Sequence, residues 1–172
     1  MRAHAHVHVS IIIKKAMLRN FKPDYVCYFD GACTPKNPDG DMGSGSVVID
    51  NHTGKIIFEL AMFYPRSDYE KTTNNIAEYL GLIHVLDFFI KNKITRKRIL
   101  INGDSMLVAK QMSGSWGIHE GAYKEYALMA KQQAKHLRSE LHNKMISWWI
   151  PREQNAYADK LSKQIKSEET YS

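Results

Sequence analysis

The chain has 172 residues, which suits one well-buried domain and is short for two. Hydrophobic residues make up 44% and charged residues 24% of it, and no apolar run approaches the ~20 residues of a membrane span, so disordered and membrane-spanning classes are excluded. Twenty-four Lys and Arg against 18 Asp and Glu give a net charge of +6, which favours a polyanionic partner. Two cysteines, Cys27 and Cys33, lie too close for a disulfide framework and indicate a reducing, cytoplasmic setting.

The termini are expected to lie outside the folded domain. We predict an N-terminal extension over residues 1–22, a domain over 23–167 and a C-terminal tail over 168–172. Histidines alternate in the extension, at His4, His6 and His8. An extended segment would place these imidazoles on one face, as in a metal-binding or pairing strand, but a tail or upstream extension is the simpler interpretation.

The first half of the domain is predicted to form three strands and a helix. The segments DYVCYFDG, SGSVVID and KIIFELAMF have the composition of strands, and the first ends at an Asp-Gly turn. The intervening NHTG joins the second and third as a hairpin. A helix is expected over 75–90.

The second half alternates strand and helix. ILING is a short strand, Ser105 begins a short helix, 123–141 is a longer helix, MISWWI is a strand, and 155–166 is the last helix. One stripe of the longer helix is predicted to be buried: Tyr123, Ala127, Ala130, Ala134, Leu137 and Leu141. Its basic face is equally consistent with a solvated surface and with a phosphate-tracking one: Lys124, Lys131, Lys135 and Arg138. This order predicts a single α/β domain.

Four carboxylates stand at strand ends or helix starts, and each has a local explanation. Asp30 fits a turn after its strand, and Asp104 fits the N-cap of the next helix. Glu78 lies three residues after Asn75, as in a capping box. Asp159 lies in the first turns of the last helix, where the helix dipole favours an anion.

The four carboxylates together suggest more than four local roles. Strand ends and helix starts are where sites assemble in α/β sheets. If the carboxylates converge, their repulsion raises at least one pKa unless cations neutralise it. Oxygen ligands without a neighbouring His or Cys cluster suit Mg²⁺ or Mn²⁺ rather than zinc.

Four stretches carry a family resemblance: DGACTPKNPDG, TTNNIAEYLGLI, INGDSMLVAKQM and PREQNAYADKLS. They resemble the four motifs of type 1 ribonuclease H, in the family's order, and the resemblance spans roughly residues 25–165. The spacing from Asp30 to Asn37 is closer to the archaeal-type and reverse-transcriptase-like branch. The resemblance implies an α/β ribonuclease H-like fold, with a mixed five-stranded sheet whose strands 1–3 are antiparallel, flanked by helices.

The resemblance also implies an activity. It is that of an endoribonuclease that hydrolyses the RNA strand of RNA/DNA hybrids with two Mg²⁺ ions, for which Mn²⁺ is a possible substitute, leaving 5′-phosphate and 3′-hydroxyl ends. By the same resemblance Asp30 bridges both ions. Glu78 and Asp104 then hold one ion, and Asp159 holds the other.

The resemblance extends to substrate binding. Asn37, Asn74 and Asn75 match family positions that contact the minor groove of the hybrid, where the 2′-OH distinguishes RNA from DNA. Thr73 matches a position that holds a phosphate of the DNA strand. Loop and cap chemistry is the local alternative for all four.

Two departures from the common bacterial pattern stand out. The loop IPREQNAYAD contains no histidine, and Arg152 or Glu153 is expected to take its place, with His119 more simply a surface residue. The region GSWGIHEGAYKEY is too short for the basic protrusion that grips the hybrid, and Trp116 is expected to anchor this loop rather than stack on a sugar.

Three other functions remain open. They are a catalytically weak hybrid-binding module, a two-metal exonuclease of the same superfamily, and a metal sensor that uses the N-terminal histidines. We expect a monomer with an RNA/DNA hybrid as partner and no membrane partner.

Overall fold

A computed structural model of the protein describes residues 15–164. The interpretations of the alternating histidines and of the 168–172 tail fall on residues outside this range, and the domain boundaries stay a prediction. Residues 15–21 are helical and lead into the sheet. None of the helices in the described part of the chain is long and apolar enough to cross a membrane.

Five strands form one mixed sheet. They are β1 (Tyr25–Thr34), β2 (Asp41–Asp50), β3 (Ile56–Tyr64), β4 (Arg98–Gly103) and β5 (Lys144–Trp149). Their spatial order is β3-β2-β1-β4-β5. Strand β2 is antiparallel to both β1 and β3, and β4 is parallel to both β1 and β5. This arrangement confirms the predicted fold class.

Four α-helices flank the sheet: α1 (Asn74–Lys91), α2 (Met106–Met112), α3 (Lys124–Ser139) and α4 (Ala156–Lys163). Helix α1 packs on β1 and β2, and α3 packs on α1. Helix α4 contacts β1, β2 and β3, on the other face of the sheet. The predicted helices are all present, with ends that differ by a few residues.

The main core lies between α1, α3 and the central strands. Helix α1 contributes Tyr79, Leu82, Leu86 and Phe89, none of which is exposed to solvent. The predicted stripe of α3 is confirmed because its middle four members are buried and its two end members, Tyr123 and Leu141, are partly buried. Small alanines in that stripe let α3 lie close to α1.

The topology places several chain segments at one end of the sheet. β4 runs parallel to β1 and ends at Gly103, beside Phe29, so Asp104 after β4 lies near Asp30 in the middle of β1. Helix α2 follows β4 directly, Asn155 before α4 bonds to Phe29 of β1 and to Asp104, and Gly31 of β1 lies against the first turns of α1. Side chains far apart in sequence therefore meet there.

Candidate active site

Asp30 is the most buried carboxylate of the site. It lies within β1 and is only 4% exposed, and its Oδ2 accepts a hydrogen bond of 3.1 Å from Ser162 Oγ on α4. The expected turn at Asp30 is wrong, because β1 continues to Thr34 in register with β2. Pairing with β2 keeps the strand extended through this point, so Asp30 has no turn to make.

Two glycines bring the helices close to the strands beside Asp30. A Cβ on Gly31 would lie 2.1 Å from the backbone nitrogen of Glu78, and a Cβ on Gly43 would lie 2.0 Å from the backbone oxygen of Ser162. Real Cβ atoms do not approach backbone this closely. Both α1 and α4 therefore rest against the sheet where the strands carry no side chain.

Glu78 enters the site from the second turn of α1. The N-cap of this helix is Thr73, whose Oγ1 accepts a hydrogen bond of 3.1 Å from the N–H of Ile76. The predicted capping box with Asn75 is wrong, because the helix begins earlier than that box requires. Glu78 is free to face Asp30, and its buried Oε2 has no hydrogen-bond partner among residues 15–164.

Asp104 follows β4 and is not the N-cap of α2. Ser105 caps that helix instead, with its Oγ accepting a hydrogen bond of 3.3 Å from the N–H of Val108. The predicted capping role of Asp104 is therefore wrong. Its Oδ1 accepts a hydrogen bond of 3.1 Å from Asn155, and its backbone oxygen accepts one of 3.1 Å from the indole of Trp149.

Three carboxylates converge, and we call Asp30, Glu78 and Asp104 the acidic cluster. Each offers an oxygen within 4.8 Å of the others. Burial, and then the charge of Asp104, raises the pKa of Asp30 to about 7. Burial, and then the charges of Asp30 and Asp104, raises the pKa of Glu78 well above its usual range. Such a group of oxygens is stabilised by protons or by a hard cation.

Asp159 lies beside the acidic cluster but is not a member of it. Its Oδ1 accepts hydrogen bonds from Arg152 at 3.2 Å and from Lys163 at 2.8 Å. Burial raises the pKa of Asp159, but the contacts with Lys163 and Arg152 outweigh this effect and hold the pKa below its usual value. The structure thus brings three of the four carboxylates together and pairs the fourth with cations. Asp159 is near enough to contribute to the raised pKa of Asp30.

Asn155 is a site residue that the sequence did not reveal. It is 1% exposed, and its Nδ2 donates to the backbone oxygen of Phe29 at 2.8 Å as well as to Asp104. The carbonyl of Phe29 can only accept, so it fixes which end of the amide faces Asp104. In sequence Asn155 looks like a helix cap, but its side chain makes no cap bond.

Ser162 was also missed. It is 6% exposed on α4, one helical turn after Asp159, and its Oγ lies 2.7 Å from the backbone oxygen of Asp159 as well as near Asp30. No signal in the sequence distinguishes this serine from an ordinary residue of the buried helical face.

The four residues assigned to substrate binding lie together where the β1–β2 connection meets the start of α1. Asn37 Oδ1 accepts a hydrogen bond of 3.0 Å from the N–H of Asn74, and Asn74 Oδ1 accepts one of 2.7 Å from the N–H of Cys33. Asn37, Asn74 and Asn75 are exposed. Loop and cap bonds thus use the amide oxygens of Asn37 and Asn74, whereas their Nδ2 groups have no partner within 15–164. Beside them Thr73 caps α1.

The loop before α3 is anchored by a glutamine rather than by Trp116. Gln111 is fully buried and accepts a hydrogen bond of 2.6 Å from the hydroxyl of Tyr79. Its Nε2 donates to the backbone oxygen of Gly117 at 3.0 Å and to the hydroxyl of Tyr123 at 3.1 Å. Trp116 is 47% exposed, so the expectation that it anchors the loop is wrong. His119 is exposed, as predicted.

Sequence comparisons identify relatives of this chain. A family model described as "Reverse transcriptase-like" matches residues 28–165. The bifunctional protein Rv2228c of Mycobacterium tuberculosis is 38% identical over 128 residues, which are 73% of this chain and 31% of that protein. The chain thus spans about a third of the length of that curated relative.

Solved structures agree with the sequence relatives. The N-terminal RNase H domain of Rv2228c, solved as a fusion with maltose-binding protein, has 30% identity and a TM-score of 0.69, over 84% of this chain and 94% of that one. LC11-RNase H1, isolated from compost by a metagenomic approach and solved in complex with an RNA/DNA hybrid, has 30% identity and a TM-score of 0.66, over 81% and 94%. The sheet order and these similarities show that the chain belongs to the reverse-transcriptase-like branch of the type 1 ribonuclease H family.

Proposed function

We propose that this protein is an endoribonuclease that hydrolyses the RNA strand of RNA/DNA hybrids and leaves 5′-phosphate and 3′-hydroxyl ends. The observation that carries the proposal is the acidic cluster, in which three buried or half-buried carboxylates meet and none forms a salt bridge with a cationic side chain of residues 15–164. The similar LC11-RNase H1 was solved with an RNA/DNA hybrid, which supports the choice of substrate.

The residues present fit the divalent metal that the family implies. The donor set consists of carboxylate oxygens, and the buried Oε2 of Glu78 lacks a hydrogen-bond partner among residues 15–164. In the proposal Asp30, Glu78 and Asp104 hold Mg²⁺, or Mn²⁺ in its place, and Asp159 contributes to a second ion. Bound there, two such ions would supply charge stabilisation for the attacking and departing oxygens of the phosphodiester.

The chain's own side chains orient the acidic cluster. Asn155 holds Asp104, and Ser162 holds Asp30, so both carboxylates are fixed from α4 or from the residue before it. Orientation of metal-binding side chains by such neighbours is a general feature of metal sites. Arg152 contacts Asp159 and keeps 70% of its side chain exposed, which suits a guanidinium that holds a substrate phosphate where other family members place a histidine.

The polar residues at the start of α1 are proposed to distinguish RNA from DNA. The exposed Nδ2 groups of Asn37 and Asn74 are hydrogen-bond donors that suit a 2′-OH, and Asn75 lies next to them. Thr73 keeps its hydroxyl hydrogen for a phosphate of the DNA strand, because its oxygen only accepts in the helix cap.

A cytoplasmic location for a monomeric enzyme belongs to the same proposal. The sequence contains two cysteines, Cys27 and Cys33, and both thiols are buried and free. Free thiols are the expected state in a reducing compartment. Sedimentation of the purified chain would test the monomer, since a mass near twice 19.8 kDa would contradict it.

A single assay separates the proposed activity from its alternatives. An RNA/DNA hybrid, single-stranded RNA, duplex DNA and a DNA duplex with an internal block of ribonucleotides are each incubated with the protein and Mg²⁺, with an Asp104→Asn variant as the matched control. Internal cleavage of the hybrid and of the embedded block by the wild type alone is expected. Binding without cleavage would indicate a hybrid-binding module, and products that shorten only from an end would indicate an exonuclease.

A further inference from the structure

A second charged site lies at the opposite end of the sheet from the acidic cluster. An open pocket of about 490 Å³ is found where β1, β4 and β5 begin. We call this the basic pocket, and its lining is Asp24, Arg96, Lys97, Arg98, His142 and Lys144. Four of these side chains are permanently cationic, and one is a carboxylate.

The single carboxylate of the basic pocket is already paired. Asp24 accepts hydrogen bonds from the guanidinium of Arg98 at 3.3 Å and from the ring of His52 at 3.1 Å. The other three cations, Arg96, Lys97 and Lys144, are exposed and have no side-chain partner among residues 15–164. The pocket therefore carries an excess of positive charge that faces solvent.

The backbone that carries these cations is held by a buried side chain. Asn143 is 4% exposed, and its side chain accepts from the N–H of Lys97 at 2.9 Å and donates to the backbone oxygens of Ile94 at 2.8 Å and Leu137 at 3.2 Å. One buried amide thus joins the segments before β4 and before β5. Because this backbone is already fixed, only the side chains need to be ordered when a ligand binds.

Two residues of the pocket adopt an uncommon backbone conformation. Arg96 has a φ of 57° and His142 a φ of 56°, both in the left-handed region that glycine usually occupies. Arg96 is fixed there by its N–H, which donates to the backbone oxygen of Leu141 at 3.0 Å. Residues held in such conformations concentrate at binding sites, so these two support a functional role for the pocket.

The basic pocket is separate from the acidic cluster. Asp24 directly precedes β1 and Asp30 lies within it, six residues further on, and a strand rises about 3.3 Å per residue, so the two sites are about 20 Å apart. A phosphate bound in the pocket is consequently not the one that lies at the acidic cluster.

We propose that the basic pocket binds the phosphate backbone of a second nucleic-acid segment. Arginine and lysine side chains bind phosphate oxygens well, and several cations around one pocket suit neighbouring phosphates of a chain. The lining contains no Phe, Tyr or Trp and only one ring, the imidazole of His142, whereas four of its six residues are Arg or Lys, so the pocket suits a run of backbone phosphates better than a mononucleotide. Recognition of this kind does not depend on base sequence.

The test compares a pocket variant with a matched control. Arg96→Gln/Lys144→Gln removes two charges from the pocket, and Lys110→Gln/Lys160→Gln removes two from exposed positions of α2 and α4, outside it. Binding of a fluorescent 16-base-pair DNA duplex is followed by anisotropy across salt concentrations, without divalent ions. We expect the pocket variant to bind several-fold more weakly and to lower the slope of log K against log salt by about 2. The control should keep the wild-type slope.

Three results would overturn the proposal. An unchanged slope in the pocket variant would show that the pocket makes no phosphate contact, and an equal change in the control variant would show that only net charge matters. Competition by tripolyphosphate as efficient as that by duplex DNA, at equal phosphate concentration, would assign the pocket to a small anion. Melting temperatures check that both variants fold. The binding measurement contains no cleavage step, so its failure is distinguishable from failure of the proposed nuclease activity.

Discussion

The acidic cluster lies beside the C-terminal end of β4, and the basic pocket lies at the N-terminal end of the same strand. At the acidic cluster, burial and neighbouring carboxylates raise the pKa of Asp30 and Glu78, and at the basic pocket the strands bring together cations that only one carboxylate offsets. At neither site are the charges balanced by neighbouring side chains of opposite charge. In both cases the missing opposite charge indicates the kind of ligand, which is a cation at the acidic cluster and a polyanion at the basic pocket.

The two ends also use the same means of holding their charged groups. A buried asparagine joins separate chain segments at each end, Asn155 at the acidic cluster and Asn143 at the basic pocket. The difference is that Asn155 bonds directly to a charged side chain, whereas Asn143 bonds to backbone alone. Replacing Asn155 should therefore change the acidic cluster itself, whereas replacing Asn143 should change mainly the stability of the fold.

The largest expected effect comes from Asp104→Asn. The change keeps the size of the side chain and removes a charge that a divalent ion requires, so cleavage of the hybrid should fall below a tenth of the wild-type rate. Hybrid affinity should be nearly unchanged, because phosphate and groove contacts supply most of it. Turnover is measured with labelled RNA in a hybrid, and affinity by anisotropy without cleavage. A rate above a tenth of wild type would remove Asp104 from the set of metal ligands.

The next effect compares the two buried asparagines. Asn155→Ala should weaken metal-dependent activity by about 10- to 100-fold, because Asp104 loses the partner that orients it. Asn143→Ala should destabilise the fold by about 1–3 kcal/mol through unpaired backbone groups and leave the metal requirement unchanged. Titration of Mn²⁺ by calorimetry and urea denaturation are measured for both. If both variants alter Mn²⁺ affinity equally, Asn155 has no specific role at the site.

A smaller effect should appear in the pH dependence of the metal-free protein. The pKa of Asp30 is raised from its usual 3.8 to about 7, so the native state holds more protons than the unfolded state in that window. Stability should therefore fall as the pH rises from about 4 to about 7, by about 2–4 °C in Tm for each kcal/mol. Thermal melts in EDTA at pH 5 and pH 7.5 measure this fall.

Asp30→Asn and Mg²⁺ provide the controls for that measurement. The variant should lose less stability across the window, and Mg²⁺ should raise the Tm of the wild type at pH 7.5 but not that of the variant. An identical pH dependence of Tm in the wild type and in Asp30→Asn would mean that protonation of Asp30 does not cause the fall in stability.

The smallest effect is expected for the acid stability that Asp24 of the basic pocket provides. Burial raises its pKa, but hydrogen bonds from Arg98 outweigh this effect, and the pKa is lowered to about 2. Its contribution to stability is present above about pH 4 and is lost as the pH falls toward 2. Acid unfolding of the wild type and of Asp24→Asn is followed by circular dichroism. The variant should be less stable at neutral pH and should show a shallower loss below pH 4, and parallel curves would contradict this assignment.

The fold was predictable because its signals are repeated along whole elements. The alanine stripe of α3 and the apolar strands are periodic over many residues, so a single unusual residue does not disturb the pattern. Helix starts were harder because several good caps stand side by side. In the stretch TTNN, Thr73 caps α1 because Asn74 instead bonds to Cys33 on β1, a contact 41 residues away in sequence.

The site was predictable only for groups with a family pattern. Asp30, Glu78 and Asp104 were named from motifs, and the structure brings them together. Asn155 was missed because its partner Phe29 is 126 residues away, and local sequence shows only an asparagine before a helix. The basic pocket combines three short segments that join only when β1, β4 and β5 pair, so the sequence showed a basic connector but no pocket.

The glycines beside the acidic cluster have a consequence for how substitutions at this site should be interpreted. Gly31 and Gly43 carry no functional group, yet any side chain there would push α1 or α4 away from the sheet and separate Glu78 or Asp159 from Asp30. In a deep mutational scan for nuclease activity both glycines should tolerate as few substitutions as the carboxylates do. Mutational sensitivity alone would therefore suggest a catalytic role for two glycines that contribute only by having no side chain.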